Sequence, residues 1–376
     1  MPIRCLKLAG VRNLAEQTLL PGPGANLLVG ANGSGKTSVL EAIYLLARGR
    51  SFRTQTIEAL VCTAADGCSV YGELEDDESD AGPGSPGLIT RLGVSRETSG
   101  GFRYRINGEN IHAASVLADA IPLVLITSHS FGLLEGSPKG RRQFLDWGLF
   151  HTAIEIRALW RQYQKALQQR NALLRQPRQD PGQLDLWDAR FAEAGEAITQ
   201  ARETYAAEVG QVATRLLALL SPGLEAGLGW SFHPGWDRDK LLIGALRGHR
   251  DRDIMLRATQ LGPHRADLRI RINGRSAAET LSRGQTKMVV LAMLLAQGAH
   301  FLDRRGRPCL NLIDDLPAEL DDRHHRRVAD LLAEIGGQCF VTGTDAERLR
   351  AAWAGCTGKQ QPKMFHVEQG RLSESR

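Results

Sequence analysis

The chain has 376 residues, 42% hydrophobic and 24% charged, with a formal net charge of +5 and a pI of about 9.0. That balance is globular rather than fibrous or disordered, and the length leaves room for two or three domains of roughly 100–200 residues. The longest apolar run, Met288–Ala296, has nine residues where a membrane-spanning helix needs about 20, so no membrane partner is expected.

Met1–Gly10 is interrupted by Arg4 and Lys7 and lacks the apolar core of a secretory signal, which reads as a cytoplasmic location. The six cysteines form no Cys-x-x-Cys pair and read as small buried side chains in a reducing compartment. The mild basic excess permits binding to nucleic acid without establishing it.

In chain order, residues 1–20 predict a strand, a turn at Arg12-Asn13 and a second strand, and Asn26–Val29 a short apolar strand. Thr37–Ala47 has helical periodicity, with Val39, Leu40, Ile43, Leu46 and Ala47 on one face. Residues 70–112 predict a β-meander, with strand-like runs at 70–75, 88–95 and 102–106 and a tight turn at Asn107-Gly108. The acidic and Gly-Pro-rich stretch Glu75–Gly87 reads as a solvated loop, with an acidic docking segment as the alternative.

Residues 152–218 predict two helices separated by Gln176–Gly182, the second with a seam through Trp187, Phe191, Ala194, Ile198, Ala201, Tyr205, Val209, Val212 and Leu216. Residues 155–178 carry six basic and one acidic residue and 180–208 seven acidic and two basic, so an antiparallel hairpin would pair by charge as well as by its seam. The first helix, at about 24 residues, would be an arm of about 36 Å. These changes of character divide the chain into 1–150, 151–220 and 221–376.

Residues Gly30, Ala31, Asn32, Gly33, Ser34, Gly35, Lys36 and Thr37, followed by Ser38, fit the pattern G-x-x-x-x-G-K-[ST] between a strand and a helix. In such a loop the amides cradle phosphate oxygens, Lys36 reaches the outer phosphates and the Thr37 hydroxyl holds magnesium. The apolar strand Cys309–Ile313 ends in Asp314-Asp315. Asp314 is the expected magnesium-side carboxylate, and Asp315 the group that orients or deprotonates the attacking water. ATP and magnesium are therefore the expected cofactors. Between these motifs lies Leu281-Ser-Arg-Gly-Gln285, where Ser282, Gly284 and Gln285 open an apolar helix.

P-loop, Leu-Ser-x-Gly-Gln and apolar strand with Asp-Asp follow one another in the order found in ATP-binding cassette heads. Further motifs are Gly49-Arg-Ser-Phe-Arg53, Gly136-Ser-Pro-Lys-Gly-Arg-Arg-Gln-Phe-Leu-Asp-Trp147, Leu261-Gly-Pro-His-Arg-Ala-Asp-Leu268 and Glu319-Leu-Asp321. With these, nearly the whole chain resembles the RecF family of bacterial DNA replication and repair proteins, relatives of the SMC heads. The resemblance implies an α/β fold: an ABC-type ATPase head, with a mixed sheet around the P-loop core and a β-meander, carrying an inserted antiparallel helical arm. It implies a homodimer formed with ATP, in which Ser282, Gly284 and Gln285 of one copy close on the γ-phosphate held by the other. It further implies binding to duplex DNA near single-strand gaps, help to RecR with RecO in loading recombinase, and slow ATP hydrolysis. Arg12 and Asn13 would lie near the adenine or the phosphates.

Arg283 stands where transporter heads have glycine, and Thr342-Gly-Thr344 where they place a switch histidine. The first departure argues against a transporter subunit; the second, with Asp315 one methylene shorter than glutamate, fits slow turnover. The seam ends by about Leu217, too early for a structural ATPase with a coiled coil of hundreds of residues. Candidate DNA contacts are Arg50, Arg53, Lys139, Arg141 and Arg142, with a stripe of Arg157, Arg161 and Lys165 along the arm. Such contacts would read backbone rather than sequence. His264, after a Gly-Pro turn, is expected at a surface, and His324-His325 are expected to be bland.

Overall fold

The computed structural model describes residues 2–54, 59–63, 65–75, 88–97, 100–355 and 361–375. Most of the loop at 75–87, and Cys356, lie outside the described residues. The chain opens with β1 (Ile3–Ala9), β2 (Gln17–Leu19), β3 (Ala25–Val29) and α1 (Lys36–Arg48). There follow β4 (Gly67–Glu75), β5 (Ile89–Glu97), β6 (Phe102–Ile106), β7 (Glu109–Ile111), α2 (Ala114–Ala120) and β8 (Leu123–Ile126). Helices α3 (Gly132–Glu135), α4 (Pro138–Thr152), α5 (Ile156–Leu174) and α6 (Pro181–Leu220) lead to β9 (Leu228–His233), α7 (Leu242–Gly248) and α8 (Arg250–Leu256). Next come β10 (Asp267–Ile272), β11 (Arg275–Ser276), α9 (Ala277–Thr280) and α10 (Arg283–Arg305). The chain closes with β12 (Leu310–Ile313), α11 (Leu316–Glu319), α12 (Asp322–Ile335), β13 (Cys339–Gly343), α13 (Ala346–Trp353), β14 (Lys363–Glu368) and β15 (Arg371–Ser375).

Two compact units result, Met1–Ser130 with Phe301–Arg376, and Phe131–His300. These bounds differ from a division at 150 and 220. Helix α4 and strand β9 both pack on α6, so the segments flanking the hairpin fold with it.

In the first unit a six-stranded sheet has the order β15-β14-β3-β13-β12-β8. Strands β14, β3, β13, β12 and β8 are parallel, and β15 pairs antiparallel as a hairpin. Strands β12 and β13 are buried at every position, as strands covered on both faces must be, which explains their mostly apolar sequence. The second sheet, β2-β1-β4-β5-β6-β7, is antiparallel throughout and alternates buried with exposed residues, as in β4. Helix α1 contacts β4 and β5 of this sheet and β13 of the other. Val39, Leu40, Ile43 and Leu46 join side chains from both sheets in one core. Because β3, β12 and β13 are parallel neighbours, their carboxyl ends share one edge, the place where open α/β sheets bind ligands.

In the second unit α5 and α6 form an antiparallel hairpin in which Tyr163 meets Phe191 with ring centroids 5.0 Å apart. Helix α5 has 19 residues and α6 has 40, about 28 and 60 Å at 1.5 Å per residue. The expected seam is buried at Phe191, Ala194, Ile198, Tyr205 and Val209. Beyond Val209 it moves to Gly210, Ala213, Leu217 and Leu220, while Val212 and Leu216 are only half-buried. A 3.6-residue helix drifts off a 3.5-residue seam, and this part of α6 packs on β9 rather than on α5. A Cβ at Gly210 would stand 2.9 Å from the Trp230 ring, so that contact requires the glycine.

Among the described residues, Arg170 pairs the two helices by charge. Its fully buried guanidinium donates to Asp188 Oδ1 at 2.5 Å, and to Asp253 Oδ2 and Thr259 Oγ1 at 2.8 Å each. Asp188 also accepts from Arg250 at 2.7 Å, and Asp253 from the Gln260 amide at 3.1 Å. Removing one member of such a group strands buried charge. Arg170→Ala is therefore expected to lower unfolding free energy by about 3–5 kcal/mol, read as a fall in the urea midpoint; a change within 0.5 kcal/mol, roughly that of a surface substitution, would show that the group is dispensable.

Candidate phosphate-binding site

Strand β3 ends at Val29 and the P-loop turns at once into α1. Gly35 sits at φ 116°, in the left-handed region that favours glycine. A Cβ at Gly30 would come within 2.1 Å of the Val367 carbonyl oxygen, so β14 dictates that glycine. Lys36 Nζ donates to the carbonyl oxygens of Gly30 and Ala31 at 2.8 and 2.9 Å, which aims the ammonium across the mouth of its own loop. Burial pulls the Lys36 pKa down, against the attraction of Asp315 and Asp314. Ser34 Oγ is buried and, among the described residues, has no hydrogen-bond partner.

Thr37 Oγ1 donates to Asp314 Oδ1 at 3.0 Å, and Thr342 Oγ1 donates to the same oxygen at 2.8 Å. The Thr342 hydroxyl also accepts from the Asp315 amide at 2.8 Å. Helix α1 and the ends of β12 and β13 thus meet on one carboxylate. Asp315 is held at φ 52°, uncommon for a residue with a Cβ, which turns its side chain away from the strand direction. Its pKa is raised by burial first and by Asp314 second, with Lys36 opposing.

The Arg12-Asn13 turn is fastened to the same loop. Asn13 Nδ2 donates to the Gly33 carbonyl at 3.1 Å and Ser38 Oγ to Asn13 Oδ1 at 3.0 Å. Arg12, with φ 54°, donates through Nε and Nη2 to both oxygens of Glu41 at 2.8 Å. A cavity of about 620 Å³ joins Arg12, Asn13, Asn32, Gly33, Gly35, Lys36, Thr37, Ser38, Asp314 and Asp315 with Arg53, Ala59, Val61, Cys62, Thr63 and Thr342. The donor set fits magnesium with a phosphate chain: a hydroxyl and a carboxylate in contact, a lysine aimed across a glycine-relieved loop, and an orphan serine hydroxyl.

In the sequence Thr342 is marked only as standing where transporter heads place a switch histidine; its contact with Asp314 is visible only through strand pairing. Glu41 is not marked, yet it carries a signal, a carboxylate inside the apolar run Val39–Leu46 and three residues after Ser38.

Ser282, Gly284 and Gln285 belong to the second unit. The Ser282 amide donates to Gln285 Oε1 at 2.9 Å and the Gln285 amide to Ser282 Oγ at 3.3 Å, a reciprocal cap on the 23-residue α10. No atom crowds the space beside Gly284 within 4 Å, so its backbone is open to approach.

The candidate DNA contacts separate. Arg141 is buried and committed: it forks onto Asp267 at 2.7 and 3.2 Å and donates to the carbonyls of Leu133, Leu134 and Gly136. It is a structural arginine, which corrects its inclusion. Arg142, half-buried, donates to the Ala266 carbonyl at 2.8 Å, and burial lowers its pKa. Arg53 lines the phosphate cavity, which places it with the nucleotide candidates. Arg50 and Lys139 are exposed, as are Arg161 and Lys165, while Arg157 lies over the Phe150 ring at 4.2 Å.

His264 departs from the expected surface position: its ring nitrogens meet the Tyr163 hydroxyl at 2.8 Å and the Thr259 carbonyl at 3.0 Å. Burial lowers its pKa to about 4, so the ring is a neutral internal strut. His325 is fully buried, and His324 pairs with Asp321. Among the described residues no group of three or more His, Cys, Asp or Glu gathers to hold a metal.

Residues 2–372 match the model of the RecF/RecN/SMC N-terminal domain. The DNA replication and repair protein RecF of Pseudomonas putida is 44% identical over 375 residues, covering 100% of this chain and 99% of its own. The chain belongs to the RecF family. The RecF of Azotobacter vinelandii is 43% identical, with the same coverage. In fold, the chain matches the solved recombination mediator protein RecF with ATP in the RecFOR pathway at a TM-score of 0.85 and 23% identity, over 100% of this chain and 98% of that one. An Smc head bound to the C-terminal winged-helix domain of ScpA matches at 0.58 and 17%, over 100% and 97%. The fold is the α/β head of the ABC and SMC ATPases.

Asp315 offers a test that needs no ligand. Its folded-state pKa lies above its unfolded value, so the ionised form costs stability at neutral pH. That cost disappears once pH falls below the ordinary carboxylate range, where both states are protonated. Asp315→Asn is expected to melt higher than the wild type at pH 7–8 and to converge with it near pH 3–4, as followed by thermal denaturation without magnesium. A gain independent of pH would refute the strained carboxylate.

Proposed function

We propose that this chain is a weak ATPase of DNA replication and repair that uses ATP to dimerise and to hold DNA at gaps. The observation that carries the reading is the contact of Thr37 with Asp314 beneath the glycine loop, at 3.0 Å. A P-loop hydroxyl and a strand-end carboxylate in contact form the two protein ligands of a nucleotide-bound magnesium. When bound there, magnesium supplies neutralisation of the charge that develops on the phosphates. The chain's own groups do the rest. The loop amides and Lys36 bind and orient the triphosphate, and Thr342 fixes Asp314 at the strand ends. Asp315, whose raised pKa marks a better proton acceptor than an ordinary aspartate, orients or deprotonates the water in line with the γ-phosphate.

Slow turnover follows from two features. Asp315 is one methylene shorter than a glutamate, and Thr342 brings a hydroxyl, not a titratable ring, to the strand end. Slow hydrolysis suits a switch whose ATP state must persist while a complex assembles. Partnership with RecR and RecO at gapped DNA rests on the relatives, one of which is a RecF of the RecFOR pathway. The exposed Arg50 and Lys139, and the arm's Arg161 and Lys165, are the candidate contacts to duplex backbone.

Two substitutions test the core of this reading. Lys36→Ala is expected to lower ATP affinity at least about tenfold, since a charge-assisted contact is worth about 1.5–3 kcal/mol; normal affinity in a folded mutant would reject the P-loop assignment. Ser282→Arg addresses the dimer. If Ser282 and Gly284 of one copy close on the γ-phosphate held by the other, ATP with magnesium drives dimerisation and ADP does not. The arginine should leave monomer ATP binding intact while abolishing ATP-induced dimers and hydrolysis. Sedimentation with each nucleotide decides: dimers of the mutant at wild-type strength would show that the motif does not act across an interface.

A further inference from the structure

Residues 155–178 hold six basic side chains and one acidic, and the fold spends Arg170 on Asp188 and Asp253. Arg161 and Lys165 stay exposed and, among the described residues, pair with no carboxylate. They stand four residues apart on α5. Trp160, Gln164 and Gln168 follow the same step beside them, so the two rows share one face of the helix. These five residues line a shallow groove of about 610 Å³.

Trp160 is half-buried, and its ring is braced from within the second unit. The Arg202 guanidinium lies 4.9 Å from the ring centroid, and Tyr163 meets the ring edge-on at 5.6 Å. Both supports are themselves fixed. Arg202, 1% exposed, forks onto Asp146 at 2.8 and 3.0 Å, and the Tyr163 hydroxyl meets His264 at 2.8 Å. A ring held in this way gives up little freedom when a flat group stacks on it. The other walls of the groove are two cations and two neutral amides, with no carboxylate among them. A braced aromatic ring beside unpaired cations suits an unpaired nucleic-acid strand: its bases stack on the ring, and its phosphates meet the cations. Duplex bases stack on one another and offer the ring no free face.

Building on the reading that the chain holds DNA at gaps, we propose that this groove on α5 is the docking site for the unpaired strand. Trp160 is its stacking platform, Arg161 and Lys165 are its phosphate contacts, and Arg202 is the positioning residue behind the ring. Beside Trp160, those two cations serve single-stranded backbone in preference to duplex.

The test is titration of the full chain, with ATP and magnesium, against labelled oligothymidylate and a continuous duplex of the same length, read by fluorescence anisotropy. Tryptophan emission is followed in parallel on unlabelled oligothymidylate. Trp160→Leu is expected to weaken oligothymidylate about tenfold, the effect of losing one base–aromatic stack, and to leave the duplex unchanged. Trp160→Phe should keep most of the affinity, because a ring remains, and lose most of the emission quenching, because the stacked indole is gone. Arg161→Gln combined with Lys165→Gln should weaken oligothymidylate and flatten its log–log salt dependence by about 1.4, at about 0.7 per phosphate contacted on a single strand. Unaltered oligothymidylate affinity in Trp160→Leu, an equal loss on the duplex, or quenching that persists in Trp160→Phe would each overturn the proposal, the first by giving the face to a protein partner instead. Should Trp160→Leu fail to fold, Trp160→Phe and the exposed Arg161 and Lys165 pair decide. A wild type that binds neither DNA removes the DNA reading itself; one that binds the duplex but not oligothymidylate, or that binds both beside inert Trp160 variants, removes this inference only.

Discussion

One oxygen, Asp314 Oδ1, receives hydroxyls from two other elements, Thr37 at the start of α1 and Thr342 at the end of β13. A carboxylate at a strand end, next to a second carboxylate, would repel its neighbour and attract disorder. Two hydroxyl donors hold that carboxylate in place without neutralising its charge, which leaves it available to a cation. The parallel order of β3, β13 and β12 makes the meeting possible, since it delivers the loop, Thr342 and Asp314 to a single edge. The buried α1 and the core on both its sides then hold that edge still.

Around this point the fold separates two kinds of charged residue. Some charges are consumed internally: Arg170 between Asp188 and Asp253, Arg141 on Asp267, and Arg202, which donates to the Pro263 carbonyl at 2.6 Å and pairs with Asp146. Buried ion pairs of this kind add little net stability but punish any alternative packing, so they specify how the hairpin, the Gly262–Leu268 segment and α4 fit together within their unit. Other charges are left under-compensated, and these line the cavity: Lys36, pulled down by burial; Asp315, pushed up; and Arg53, sharing a carboxylate already occupied by Arg12. In this cavity burial moves the lysine and the carboxylate in opposite directions, each away from its charged form.

The Ser282–Gln285 pair caps its helix reciprocally. In the free chain the serine hydroxyl closes the amino end of α10. The helix of 23 residues carries its positive partial charge at that end.

Much of this was legible in the chain itself. The P-loop spacing, the mostly apolar strand ending in Asp314-Asp315 and the meander with its Asn107-Gly108 turn follow from local rules: a glycine where a Cβ cannot fit, a two-residue period in half-buried strands, a mostly apolar run in covered ones. The hairpin was legible from its periodicity, although the drift of its buried face beyond Val209 was not, because what α6 packs against changes there. Long-range pairing decided the rest. No local pattern says that Arg141 is spent on Asp267, 126 residues away, that His264 turns inward to Tyr163, or that Thr342 reaches Asp314. Sequence shows which side chains can carry charge; only tertiary structure, by setting who stands beside whom and how much water remains, decides which charges are used up in folding and which stay available for a ligand.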